Sequence, residues 1–91
     1  MQIIECVPNF SEGNDLDIIK QVTGEIEGVQ GVRLLNVDPG KATNRTVVTF
    51  VGGPEAVIEA AFRAIKRAGE LIDMQGERIM NYHRSNFLRP I

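Results

Sequence analysis

Two short stretches gather the side chains that could do chemistry on a small, charged molecule. The first is ECVPNFSEG (5–13), with Asn9, Ser11 and Glu12; the second is VDPGKATNR (37–45), with Asp38, Lys41, Asn44 and Arg45. An amide and a hydroxyl just ahead of a helix N-terminus can hold a carboxylate, helped by free backbone amides and the positive end of the helix dipole. Asp38, at a strand end, can hold an amine. Lys41 and Arg45 can hold carboxylates, Arg45 through two parallel N–H donors. Plainer readings fit the same residues, and composition favours them: a helix-capping loop around Gly13, and a hydrated hairpin turn served by Gly40 and Asn44. Gly52-Gly53 is a weak phosphate signal and reads first as a tight turn. His83 is the single histidine, the side chain whose ordinary pKa suits a general base near neutral pH. It sits in Asn81-Tyr82-His83-Arg84 without a partner constellation and reads first as a surface residue. One His and one Cys make no metal-ligand set.

The elements that would position these groups fit one domain over residues 1–91. The chain has a net charge of −2, 43% hydrophobic and 24% charged residues, an ordinary globular balance with no footprint for nucleic acid. No apolar run approaches the roughly 18 residues of a membrane span. The start, MQIIECVPNF, lacks the basic and apolar regions of a signal peptide, so a cytoplasmic setting is expected. Asn44-Arg45-Thr46 matches a glycosylation sequon, a coincidence in that setting. Cys6 lies inside an apolar strand and is expected to be a buried structural thiol.

Gln2–Val7 reads as a buried strand ended by Pro8, and residues 8–13 as a loop. Asn14 or Asp15 can cap a helix whose apolar stripe is Leu16, Ile19, Val22 and Ile26, with Gly24 weakening it by about 1 kcal/mol relative to alanine and Gly28 as its stop. Val32–Val37 is a second strand with both faces at least partly covered; Pro39-Gly40 turns the chain. Thr46–Val51, β-branched at most positions, is a third strand. The short connection between them requires antiparallel pairing. Pro54 suits the first position of a second helix, with a stripe of Val57, Ala61, Ile65, Ala68 and Ile72 and the pairs Glu59–Arg63 and Lys66–Glu70 on its solvent side. After Met74 the pattern dissolves until a weak strand near Asn86–Leu88. The order βαββα(β) predicts an α+β ferredoxin-like plait, an antiparallel sheet with two helices on one face. In that topology the ends of the first two strands point the same way, so Asn9 and Asp38 can share a rim. An exposed sheet face or edge predicts self-association.

ECVPNFSEG (5–13), VDPG (37–40), TNRTVVTFVG (43–52), PEAVIEAA (54–61) and LIDM (71–74) together resemble the N-terminal subdomain of the glutamate formimidoyltransferase family, over residues 1–74. The resemblance implies a ferredoxin-like subdomain and transfer of a formimino group from N-formimino-glutamate to tetrahydrofolate, a co-substrate, in histidine degradation. It implies folate and formiminoglutamate lying between two such subdomains, with no metal. It makes Asn9, Ser11, Asp38, Asn44 and Arg45 the substrate- or folate-binding residues. The family's GEHPRMG-like motif carries the general base. Here the chain reads Gly76-Glu77-Arg78, with arginine in the histidine's place. Arginine stays protonated near neutral pH and accepts no proton. His83 is then the remaining catalytic candidate, off the family alignment. The diverged tail, 75–91, and the missing second subdomain point to a chain inactive by itself that needs a partner chain or a second copy. A non-catalytic folate- or glutamate-binding module, or a truncated paralogue, fits the same residues.

Overall fold

A computed structural model describes residues 2–72, 80–82 and 88–90, with side chains described for 2–72. The elements run β1 (Ile4–Cys6), β2 (Pro8–Phe10), α1 (Leu16–Glu27), β3 (Val32–Gly40), β4 (Arg45–Gly52), α2 (Pro54–Leu71), β5 (Met80–Tyr82) and β6 (Leu88–Pro90). All pairings are antiparallel, and β4 lies in the middle.

β1 and β2 form one line. Cys6 pairs with Phe50 and Asn9 with Val47, an unbroken register against β4. Residues 8–10 are therefore strand, where the sequence reads as loop. Proline lacks the N–H for one ladder bond, but its fixed φ suits extended chain. The alternation also carries through it: Cys6, Pro8 and Phe10 are buried on one face while Asn9 points to the other. On the far side of this line β5 pairs with β2 and β6 with β1. β6 answers the weak terminal strand, two residues later than read; β5 is a strand that the sequence pattern does not announce. The sheet order is thus β3, β4, then β1 with β2, then β6 with β5: the α+β plait expected, with each outer position of the first and last strands split in two.

β3 corrects two readings. It runs through Pro39-Gly40, so the turn falls at residues 41–44 instead. Its outer face is not covered: Arg33, Leu35, Asn36, Asp38 and Pro39 are exposed, and among the described residues β3 pairs only with β4. An edge strand tolerates proline. Between Leu34 and Asn36 the register slips by one residue, a bulge at Leu35. Leu34 faces Phe50 before it and Val37 faces Val48 after it, so both remain on the core side. Asp38, opposite half-exposed Val47, is on the open side. Without the bulge the alternation would place Asp38 on the helix side.

Both helices cover the face made by Cys6, Phe10, Val48 and Phe50, which cluster with Ile19, Val22, Ile26, Val57 and Ala60. Asp15 caps α1 by accepting from the amides of Asp17 and Ile18, and Gly28 ends it. Leu16, expected in the stripe, is 66% exposed; it lies in the first turn, beyond the packed face. Pro54 opens α2 after Gly53. The buried face of α2 is Val57, Ala60, Ala61, Ala64 and Ala68, with Ile72 beyond its end, and these small residues permit close approach to the sheet and α1. Ile65 is rotated out of that face and is 40% exposed, against expectation. Glu59 and Arg63 pair at 2.7 Å as predicted. Glu70 pairs with Arg67 at 3.1 Å, where Lys66 was the expected partner. Such exposed pairs contribute about 0.3–0.5 kcal/mol each. Among the described residues no helix is long and apolar enough to cross a membrane.

Candidate functional site

The face of the sheet away from the helices carries the predicted side chains. Asn9 and Asp38 flank Val47 from opposite sides in the same register row. Two interstrand spacings put their backbones about 10 Å apart. The shared rim expected for them is thus a single row across the open face. One row further, Arg45 pairs with Gly40 in the ladder. Its Nε donates to Asn9 Oδ1 at 2.8 Å and its Nη1 to Ser11 Oγ at 2.7 Å. Ser11 is only 1% exposed. The remaining nitrogen, Nη2, is shielded from water and has no hydrogen-bond partner among the described residues. A buried donor on a permanent cation is costly to leave unmet. Asn9 and Ser11 orient the guanidinium; Asp38 supplies an exposed carboxylate on the same face.

The loop between β2 and α1 does something other than the sequence suggested. Its backbone amides are already taken: Glu12 accepts from Asn14 N at 3.0 Å and Asp15 N at 2.9 Å, and Asp15 Oδ1 accepts from Asp17 N at 3.0 Å and Ile18 N at 3.3 Å. The amides of Asn14, Asp15, Asp17 and Ile18, expected to be free, are therefore not available to a carboxylate there. Asn44 is also occupied. It adopts a left-handed φ of 52°, and its Oδ1 accepts from Gly13 N at 3.0 Å and Asn14 Nδ2 at 2.8 Å. Asn14 Nδ2 donates as well to the Lys41 carbonyl at 3.4 Å. Asn44 thus serves the turn, as one reading of the sequence had it, and fastens the hairpin to the loop beneath Arg45. The Thr46 hydroxyl donates to the Glu12 carbonyl and closes the same seam. Sequence reasoning missed Thr46, because a threonine in a β-branched run reads as strand filler.

Gly52 meets a different need. A Cβ there would lie 2.6 Å from the Gly31 carbonyl oxygen, so the glycine permits close approach of the chain entering β3. Gly52 ends β4 and Gly53 is the extended N-cap of α2, so the pair is a strand-to-helix junction in place of the tight turn read from the sequence. His83, Glu77 and Arg78 lie outside the described residues. Among those described, no group of three or more His, Cys, Asp or Glu is placed to hold a metal ion.

Cys6 is fully buried beneath the sheet, as expected, and burial pushes its thiol up to about 12 from an ordinary value near 9. The neutral thiol is thus favoured in the folded chain. Its stabilising effect is complete below pH 9 and is lost as pH rises toward 12. Unfolding free energy should fall across that window by about 1.4 kcal/mol per pH unit more than in Cys6→Ala, measured by urea titration at each pH. Equal slopes would mean that the thiol ionises alike in both states.

The chain matches the formiminotransferase domain, N-terminal subdomain, over residues 3–80. The chain belongs to this family. It is 53% identical over 74 residues to formimidoyltransferase-cyclodeaminase of Rattus norvegicus, covering 81% of this chain and 14% of that protein. It is 44% identical over 78 residues to glutamate formimidoyltransferase of Thermoplasma acidophilum, covering 86% of this chain and 26% of that protein. The enzyme of that name from Streptococcus pyogenes is 41% identical over 73 residues, covering 80% of this chain and 24% of its own length. The chain therefore spans between 14% and 26% of the length of these relatives. The formiminotransferase match includes the whole open-face row and the seam beneath it, from Asn9 to Thr46.

Proposed function

We propose that this chain presents the substrate-holding face of a formimidoyltransferase N-terminal subdomain and, alone, binds without turnover. The observation that carries the reading is Arg45: a guanidinium held by Asn9 and Ser11 with its third nitrogen unmet, on the face that also bears Asp38. A formiminoglutamate offers carboxylates to Arg45 and a basic formimino group to Asp38. Tetrahydrofolate, the co-substrate, offers glutamyl carboxylates and a flat ring for the apolar part of the same face around Val47. Asn44 contributes by holding the Arg45 turn in place.

The reaction needs a nitrogen of tetrahydrofolate to attack the formimino carbon. The bond from that carbon to the glutamate nitrogen breaks, and the proton lost by the attacking nitrogen must reach the leaving amine. The carrier of that proton is the missing part: Arg78 stands where the resemblance puts a histidine, and it cannot accept a proton. Removal of a general base costs about 10²- to 10⁴-fold in rate. Residues 1–91 assayed by themselves also lack whatever positioning a second subdomain would supply. A cytoplasmic setting, folate and formiminoglutamate as ligands, and a partner chain supplying the second subdomain follow from this reading.

The test is a formimino-transfer assay on the full chain and on His83→Ala. No turnover above the uncatalysed rate is expected for either. Turnover by the native chain that is lost in His83→Ala would overturn the inactive reading and make His83 the base.

A further inference from the structure

The two residues that flank Arg45 hold the same peptide bond. The amide of Gly13 donates to Asn44 Oδ1 at 3.0 Å, and the carbonyl of Glu12 accepts from the Thr46 hydroxyl. Those groups are the N–H and the C=O of one planar unit, the Glu12–Gly13 peptide. Successive side chains of a strand point to opposite faces. Thr46 is fully buried on the helix side, while Arg45 reaches Asn9 and Ser11 from the open side. The clamped peptide has no room to settle elsewhere: a Cβ on Gly13 would lie 2.2 Å from the Gly40 carbonyl oxygen. Just before it, the Glu12 amide donates to the Phe10 carbonyl at 2.9 Å and closes a three-residue turn around Ser11. The two acceptors of the Arg45 guanidinium are thus held by different means. Asn9 lies in the ladder opposite Val47. Ser11 stands one residue past β2, and its place depends on the turn and on the peptide that follows.

We propose that Asn44 and Thr46 are positioning residues for ligand binding: by holding the Glu12–Gly13 peptide they place Ser11 Oγ, and through it they set the plane of the Arg45 guanidinium. The role depends on Arg45 as the ligand-holding group proposed for the open face. With Nε on Asn9 and Nη1 on Ser11, the guanidinium is locked in one plane. With Asn9 alone, it turns about its Nε–Cζ bond, and its remaining donors no longer have a fixed direction. The Thr46 hydroxyl is buried and cannot meet a ligand on the open face, so its effect on affinity passes through Ser11.

The test compares Thr46→Val, which keeps the shape and loses the hydroxyl, with Thr46→Ser, which keeps the hydroxyl. Val57→Ala is the control for a purely structural loss: Val57 is fully buried and packs at the Gly52 end of β4, away from Arg45. Two readouts are taken on the full chain: the Arg45 side-chain N–H signals in a ¹⁵N spectrum, and the dissociation constants of N-formimino-glutamate and tetrahydrofolate by calorimetry. Thr46→Val should merge the separate Nη signals of Arg45 by rotation about Nε–Cζ, and should weaken binding about 3- to 10-fold, the scale of one ordinary hydrogen bond. Asn44→Gly, which keeps the left-handed φ of 52° without the side chain, should do the same. Thr46→Ser should restore both readouts. Val57→Ala should lower the urea midpoint and leave both unchanged. In a Ser11→Ala background, Thr46→Val should weaken binding no further, because the two residues act in one line. Arg45 signals unmoved by Thr46→Val overturn the positioning role, whether or not either compound binds. Equal losses in Thr46→Val and Val57→Ala overturn it too, and reduce Thr46 to a general stabiliser. Additive losses in the Ser11→Ala background overturn the route through Ser11. A native chain that binds neither compound, with Arg45 signals that still respond to Thr46→Val, overturns the ligand-holding reading of the open face while the clamp on Arg45 stands.

Discussion

Gly13→Ala should cost about 3 kcal/mol of stability or more, lowering the thermal midpoint by roughly 15 °C in a chain this small. A Cβ at Gly13 would lie 2.2 Å from the Gly40 carbonyl oxygen, 2.7 Å from the Arg45 amide nitrogen and 2.9 Å from the Gly40 carbonyl carbon. All three are backbone atoms of the β3–β4 hairpin, so no side chain can swing aside. Either the loop lifts or the hairpin moves. Both break the hydrogen bond from Gly13 N to Asn44 Oδ1, and with it the seam that includes Asn14 and Thr46. Gly24→Ala is the matched control. It lies in the middle of α1 with nothing within 4 Å of the added Cβ, and it should stabilise by about 1 kcal/mol through helix propensity. Urea unfolding of the two variants should move in opposite directions. Equal, small effects would show that the loop and hairpin are not in close contact.

Arg45→Met carries the largest expected effect on ligand binding. Methionine retains part of the aliphatic stem and loses every donor. The hydrogen bonds to Asn9 and Ser11 go, together with the nitrogen that has no partner among the described residues. Hydrogen bonds to a charged group contribute about 1.5–3 kcal/mol, so affinity for tetrahydrofolate and for formiminoglutamate should fall by about 10- to 100-fold in calorimetric titration. Arg45→Lys should recover little. One ammonium cannot span Asn9 Oδ1 and Ser11 Oγ in the fixed fork geometry and still offer a third donor. A lysine variant that binds as the native chain does would mean that charge alone, without the fixed fork, holds the ligand.

Much of the frame was legible because local and global signals agree. The β-branched run at Thr46–Val51 is the central strand, Asp15 and Gly28 bound the first helix, and Pro54 opens the second. The parts that were not legible share a physical cause. Leu34 and Leu35 are equally apolar, so nothing in the pattern says which is the extra residue of the bulge, yet the bulge is what sets Asp38 on the open face. Pro8 signals an end only if its missing N–H matters, and here the chain runs straight through it. The phase of α2 was misjudged at Ile65 because alanines pack as well as isoleucines when the neighbouring elements lie close. The polar side chains of the open face and its loop were singled out from the sequence. Their division of labour was not: Asn9 and Ser11 hold Arg45, while Asn44 and Glu12 are spent on the loop and turn beneath it. The pairings of Asn9, Ser11 and Asn44 join residues more than thirty positions apart and leave no local trace.

The most direct measurement is a titration of the ¹⁵N-labelled chain with tetrahydrofolate and with formiminoglutamate, following backbone amides and the Arg45 Nε–H resonance. Perturbations should centre on Asn9, Ser11, Asp38, Arg45 and Val47, with the Arg45 signal among the largest, and should leave Ile58, Phe62 and Ile65 unmoved. No perturbation at saturating ligand, or perturbations confined to the helical side, would contradict the assignment of the open face as the substrate-holding surface.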